Sequence, residues 1–163
     1  MEDVADVEDS VADVRTEGLA NGKPSVVIII FRQPNANIID AVDRVRAMVP
    51  ELQAVVPGGM KLKIVMDGAN IFQPGQLPNM RKVLDGAFDL LGSDIALAHA
   101  KDLDKDGEAG HLAAGRGRLD YPYYLELLRK SGFEGTIILH ALQPAEARDR
   151  LAFVRSVAPA GYL

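Results

Sequence analysis

Asp102, Asp104 and Asp106, followed by Gly107, place oxygen ligands at positions one, three and five and glycine at six, which is the opening half of a calcium-binding loop. The closing half does not follow. Position twelve, where a bidentate glutamate belongs, is Ala113, and no helix of the required kind leads in, so a flexible acidic loop is the preferred reading. His111 in the same stretch can reach a metal, although a single loop histidine is ordinarily just solvated. A second constellation is Gly115-x-Gly117 with Arg116 and Arg118. Backbone donors and guanidinium groups of this kind can hold a phosphate or substrate if a helix amino terminus lies close. The full phosphate-loop pattern is missing, and a surface turn beside a helix cap at Asp120 explains the same glycines. Tyr121, Tyr123 and Tyr124 fit a half-buried helix start better than a base-stacking platform. The absence of cysteine excludes thiol catalysis and Cys-ligated zinc. No Gly-x-Ser-x-Gly elbow is present, and three histidines give a catalytic triad little support.

The elements that must position these residues are legible in the hydrophobic spacing. Asn21-Gly22 favours a two-residue hairpin turn, because both positions tolerate positive φ, and residues 26–31 are apolar at every position, as in a strand covered on both faces. Ile38, Val42, Val45, Val49, Leu52 and Val56 form one helical stripe, with Asn35 or Asn37 as cap, a kink expected at Pro50, and Pro57-Gly58-Gly59 as the stop. Residues 62–66 read as a strand, and Gly68, Pro74 and Gly75 mark a loop. Leu77, Met80, Leu84, Ala87 and Leu91 make a second helical stripe ended by Gly92. A short strand over 95–98 precedes a long polar, glycine-rich loop over 101–118. Asp120 then caps a helix containing Tyr124, Leu125 and Leu128 that Gly132 closes, residues 136–139 supply a strand, and a last helix spans about 145–157.

This alternation predicts an α/β fold: a single hybrid domain with an amino-terminal β-hairpin followed by repeated βα units. Its mostly parallel sheet would be flanked by helices, either half-barrel-like or as an open three-layer sandwich. A length of 163 residues suits one domain, and 48% apolar with 25% charged residues is ordinary for a globular chain. Residues 1–13 are acidic with scattered valines and read as a partly ordered edge. The net charge of −5 argues against nucleic-acid partners and favours cations. The longest wholly apolar run is six residues, far short of the roughly 20 that span a bilayer. With an acidic rather than basic start, the expectation is a soluble, cytoplasmic protein without export signal or membrane contact.

Two resemblances extend this reading. Residues 7–67 resemble the porter domain of resistance-nodulation-division multidrug efflux pumps, on the strength of Asn21-Gly22-Lys23-Pro24, the Pro34-Asn35-Ala36-Asn37 helix entry and the spacing to Leu62 and Asp67. This implies a strand, helix and strand of a ferredoxin-like subdomain within a proton-driven trimeric transporter. The charged membrane-helix residues on which proton coupling depends are absent from this sequence. Residues 67–157 resemble the carboxy-terminal part of xylose-isomerase-like sugar phosphate isomerases and epimerases, through Asp67-Gly68-Ala69-Asn70, His99-Ala100-Lys101-Asp102 and the run from Gly115 through Arg118 to Tyr121. That family is an eight-stranded barrel with a divalent metal at the strand ends. The resemblance implies metal ligands at Asp67 and His99, catalytic polar residues at Lys101 and Asp102, and a pocket border at Gly115, Gly117 and Arg118. His140 stands where the last strand usually offers glutamate, and the earlier strands' ligand has no counterpart. Asp67, His99 and His140 all fall at or near strand carboxyl ends, where such sheets place their sites, and their donors suit manganese, zinc or iron.

The expectation that follows is a recombined or designed chimera, 1–66 porter-like and 67–163 barrel-like, sharing one core through the strand around Met66 and having no native activity or cofactor. The alternative is a divalent-metal-dependent sugar (phosphate) isomerase or epimerase remnant, with a small sugar substrate and a homodimer paired through exposed sheet edges.

Overall fold

The computed structural model describes residues 19–20, 23–24, 38–55, 63–108 and 110–163. The chain divides into two compact units, Met1–Phe31 and Arg32–Leu163. In the first, β1 (Leu19–Ala20) and β2 (Lys23–Pro24) pair antiparallel with Ala20 opposite Lys23. This is the register of a hairpin whose strands flank Asn21-Gly22, as the turn chemistry predicts. The strand expected over 26–31, the acidic residues 1–13, the Asn35 and Asn37 caps and the Pro57-Gly58-Gly59 stop lie outside the described residues.

The second unit opens with α1 (Ile38–Val55), a helix that continues beyond Pro50 to Val55. The Arg46 guanidinium on it donates to the carbonyl of Leu90. Three strands then form a parallel sheet with β4 (Ile95–Asp102) between β3 (Ile64–Asp67) and β6 (Thr136–Leu139). The crossovers carry α2 (Met80–Leu91) and α3 (Tyr121–Lys130), and α4 (Ala147–Val157) follows β6. A two-residue strand, β5 (Leu112–Ala113), pairs antiparallel with Lys101 and Asp102 at the end of β4. This is the α/β architecture the alternation predicts, with a sheet dominated by parallel pairs. Among the described residues β3 and β6 each pair only with β4, so the sheet is open and is not a closed barrel.

The helices form where the stripes fall. Leu77, Leu84 and Phe88 are buried, while Met80, Ala87 and Leu91 pack against the same core. Ala98 and Ala100 on β4 are fully buried together with Tyr124, Leu125 and Leu128 of α3. Each large side chain so buried contributes about 1.5–3 kcal/mol of transfer free energy. Met66 is buried and Val65 exposed, so β3 gives one face of its strand to the core. Asp120 caps α3 by accepting the Tyr123 amide, and Gly132, at φ +73°, supplies the left-handed residue that ends it.

One expectation is corrected in length. β4 extends to Asp102, four residues past the expected end at Ala98, because β5 gives Lys101 and Asp102 a partner and turns the long loop into a hairpin. The pairing also sets the site. Asp67 is in register with His99, His99 with Ile138, and the His140 amide donates to the Ala100 carbonyl at 3.1 Å. Three neighbouring strands therefore bring Asp67, His99 and His140 to one end of the sheet.

Candidate functional site

Asp67 ends β3, and the turn after it folds back on its side chain. The Asn70 amide donates to the Asp67 carbonyl, and Asn70 Nδ2 reaches Asp67 Oδ2, both at 3.0 Å. Gly68 permits this turn, since a Cβ there would fall 2.7 Å from the Tyr124 ring. Two residues of β4 on the same side of the strand meet the same oxygen: Lys101 Nζ lies 2.9 Å and His99 Nδ1 3.1 Å from Asp67 Oδ2. Lys101 is only 8% exposed at its side chain, so this is a largely buried ion pair. Oδ1 of the same carboxylate is buried and has no hydrogen-bond partner. The His99 and His140 rings stack at 5.1 Å between centroids and 9° between planes, with His140 on the exposed side. Ala141, directly after it, holds φ of +56°, which is unusual for a residue bearing a Cβ.

Two tyrosines underpin the cluster. The Tyr124 hydroxyl lies 3.3 Å from the His99 carbonyl and 3.4 Å from that of Met66, and the Tyr121 hydroxyl donates to the Lys101 carbonyl at 2.8 Å. Burial pushes both phenols well above the ordinary tyrosine range, the Asp67 charge adding to it at Tyr124 and the Asp102 charge at Tyr121. Both therefore remain protonated donors. Asn70, Tyr121 and Tyr124 belong to the cluster although their residue types alone do not mark them as such. Only the Asp67-to-Asn70 spacing, suited to a side-chain turn, signals the first.

The other predicted site residues are arranged differently. Asp102, adjacent to Lys101, faces another way: its Oδ1 accepts the amides of Leu103 and Leu119 at 2.9 Å, and Oδ2 that of Gly115 at 3.0 Å. At 1% exposure it is a buried clamp on the loop. A Cβ at Gly117 would fall 2.3 Å from the Leu103 carbonyl oxygen and 2.6 Å from Asp102 Oδ1, and one at Gly115, where φ is +76°, would meet the Phe153 ring at 2.7 Å. These glycines let the loop close over the clamp. The Gly115 amide and the amino terminus of α3 are already bonded to the carboxylates of Asp102 and Asp120. Arg118 is exposed, and its backbone amide donates to the Leu103 carbonyl. The structure thus joins Asp67, His99, Lys101 and His140, and sets Asp102, Gly115, Gly117 and Arg118 apart from them, but with the two imidazoles stacked face to face the donors of Asp67, His99 and His140 do not converge on one point as the expected metal ligands would.

Comparison with known proteins gives the class for one part of the chain. Residues 1–75 match the model of the AcrB/AcrD/AcrF family. Among similar proteins, multidrug resistance protein MdtC of Yersinia enterocolitica is 49% identical over 97 residues, which is 60% of this chain and 9% of that protein. MdtC of Salmonella arizonae is 39% identical over the same length, again 60% of this chain and 9% of that protein. MdtC of Edwardsiella ictaluri is 49% identical over 67 residues, 41% of this chain and 6% of that protein. The chain thus spans less than a tenth of the length of these relatives. No solved structure matches it.

The amino-terminal region therefore matches the efflux-pump porter family, as the hairpin and helix-entry motifs imply. Nothing in the comparisons supports the isomerase-like resemblance of the remainder. The functional expectation is corrected accordingly. The family match runs to residue 75, and a 97-residue alignment is longer than the 66 residues before the expected junction, so similarity to bacterial multidrug resistance proteins continues past Met66. Neither an inactive designed chimera nor a sugar isomerase remnant stands beside that finding. The expectation of a cytoplasmic, soluble protein is overturned by the same match to a transporter family. Among the described residues no helix is long and apolar enough to cross a membrane.

Proposed function

We propose that the chain acts as a porter-type element of a multidrug efflux system, engaging a transporter subunit of the AcrB/AcrD/AcrF class. The observation that carries this is the 49% identity to MdtC over 97 residues. The geometry offers a contact face within the matched region: Met48 and Val55, seven residues and therefore about two turns apart on α1, are 52% and 78% exposed. Two apolar side chains on one helix face suit burial against another α/β body. The test is to express the full chain beside a pump of this family and measure co-purification and dye accumulation. The chain should co-purify and shift accumulation, and Met48→Asp with Val55→Asp should lose both while circular dichroism is unchanged. Absence of both effects for the unmodified chain overturns the reading.

A further inference from the structure

We propose that the loop between β4 and β5 holds a zinc-type cation through Asp104, Glu108 and His111, at a place separate from the strand ends. Each of the three offers one ligand atom, and these atoms lie within 4.8 Å of one another. Among the described residues no other three acidic or histidine side chains converge in this way. One imidazole nitrogen and two carboxylate oxygens suit zinc, and three protein ligands leave a fourth position for water. The distances point the same way. Asp104 Oδ1 and His111 Nε2 are 3.5 Å apart. That is longer than the usual N–H to oxygen bond of about 2.7–3.2 Å, and close to the roughly 3.3 Å separating two ligands held about 2.0–2.1 Å from one tetrahedral ion.

The backbone that carries these side chains is held by bonds in which they take no part. The Asp106 carboxylate accepts the amides of Gly75 and Leu77, Asn70 Oδ1 accepts the Gly110 amide at 2.8 Å, and the Leu103 carbonyl accepts the Arg118 amide at 2.8 Å. The backbone on both sides of Asp104 and His111 is anchored before any cation binds, which lowers the ordering cost of binding. The same bonds explain why the calcium-like spacing misleads. Asp102 is taken up by three amides and Asp106 by the 75–77 turn, leaving Asp104 alone of the three aspartates to meet an ion. Its companions in space, Glu108 and His111, are outside that spacing. Calcium requires six to eight oxygens and finds too few here, whereas an ion that accepts imidazole is satisfied. Lys105 lies 3.7 Å from Glu108, but this exposed pair is weak and gives way to a divalent ion.

Isothermal titration of the full chain with zinc chloride decides the matter. One strong site is expected, weakened about tenfold or more in His111→Ala and in Asp104→Ala. It should persist in His99→Ala combined with His140→Ala, and calcium chloride should give no comparable heat. Cobalt(II) in place of zinc should show the intense visible absorption of a tetrahedral centre. All three ligand residues are exposed, so circular dichroism of the variants should match the parent. The proposal fails if zinc does not bind, if calcium binds as tightly, or if zinc binding is lost with His99 and His140 and indifferent to His111.

Discussion

Asp67 and Asp102 lie at the ends of adjacent strands and carry the same carboxylate, yet they are satisfied in opposite ways. Asp102 has both oxygens bonded to backbone amides of its own loop. Asp67 has three side-chain donors on one oxygen and none on the other. A carboxylate closed by backbone amides has nothing left to offer a ligand and fixes the chain. One held by movable side chains, with a buried acceptor uncommitted, keeps the capacity to exchange partners. The difference separates the carboxylate that fixes the loop from the one whose partners are side chains.

That contrast is broken most directly at the clamp. Asp102→Ala removes the acceptor of three amides at once, and at about 1–3 kcal/mol per buried unsatisfied group the loss should reach about 3–5 kcal/mol in urea unfolding. Gly117→Ala forces a methyl group against the Leu103 carbonyl and the same carboxylate, and should cost about 2–4 kcal/mol. Asp67→Ala should cost about 3 kcal/mol, the lower end of the range for leaving one charge of a buried pair alone, because the Asp67 side chain is 18% exposed and water can reach the Lys101 ammonium. Adding Lys101→Met should recover part of that loss, since no buried charge then remains. If Asp67→Ala proves costlier than Asp102→Ala, or Lys101→Met adds to the loss, the division between clamp and site is wrong.

The sequence carries the fold far better than the site. Residues such as Leu77, Leu84 and Leu128 repeat at helical spacing because burial imposes that spacing, and Asp120 and Gly132 mark the ends of α3 for equally local reasons. The hairpin register around Asn21-Gly22 is local too. Site geometry depends on which strands become neighbours. Lys101 and Asp102 adjoin in sequence and were expected to work together, but consecutive strand residues face opposite sides, and the β5 pairing that turns Asp102 into a clamp is a contact across the hairpin. The acidic loop misleads for a similar reason: linear spacing selects Asp102, Asp104 and Asp106, whereas folding assembles Asp104, Glu108 and His111. Short polar motifs at strand ends, such as His99-Ala100-Lys101-Asp102, carry little information about family, and the comparisons give the isomerase-like resemblance no support.

The tyrosines beneath the two carboxylates extend the comparison to pH. Tyr121 and Tyr124 both have phenols raised above the unfolded value of 10.0, chiefly by burial. Below pH 10 neither state has ionised them, and the stability they lend is fully present. As pH rises past 10 the unfolded chain loses phenolic protons that the folded chain retains, so stability should fall steadily, with the buried phenols ionising only on unfolding. Ultraviolet titration of phenolate should show delayed ionisation in the native protein. Tyr124→Phe removes two long hydrogen bonds and should cost about 1 kcal/mol, while reducing the alkaline loss.

The smallest expected effect is the sharpest control on the clamp. Gly132 and Gly117 would each receive the same methyl group, but a Cβ at Gly132 meets nothing within 4 Å, so packing cannot enter. Only conformation does: φ of +73° is left-handed, and alanine there loses about 1 kcal/mol against glycine. Gly132→Asn should recover part of that loss, because asparagine tolerates this region. Urea midpoints for the three variants then separate backbone strain from steric exclusion. If Gly117→Ala costs no more than Gly132→Ala, the loop over Asp102 yields to a methyl group and does not close as tightly as its three amide bonds require.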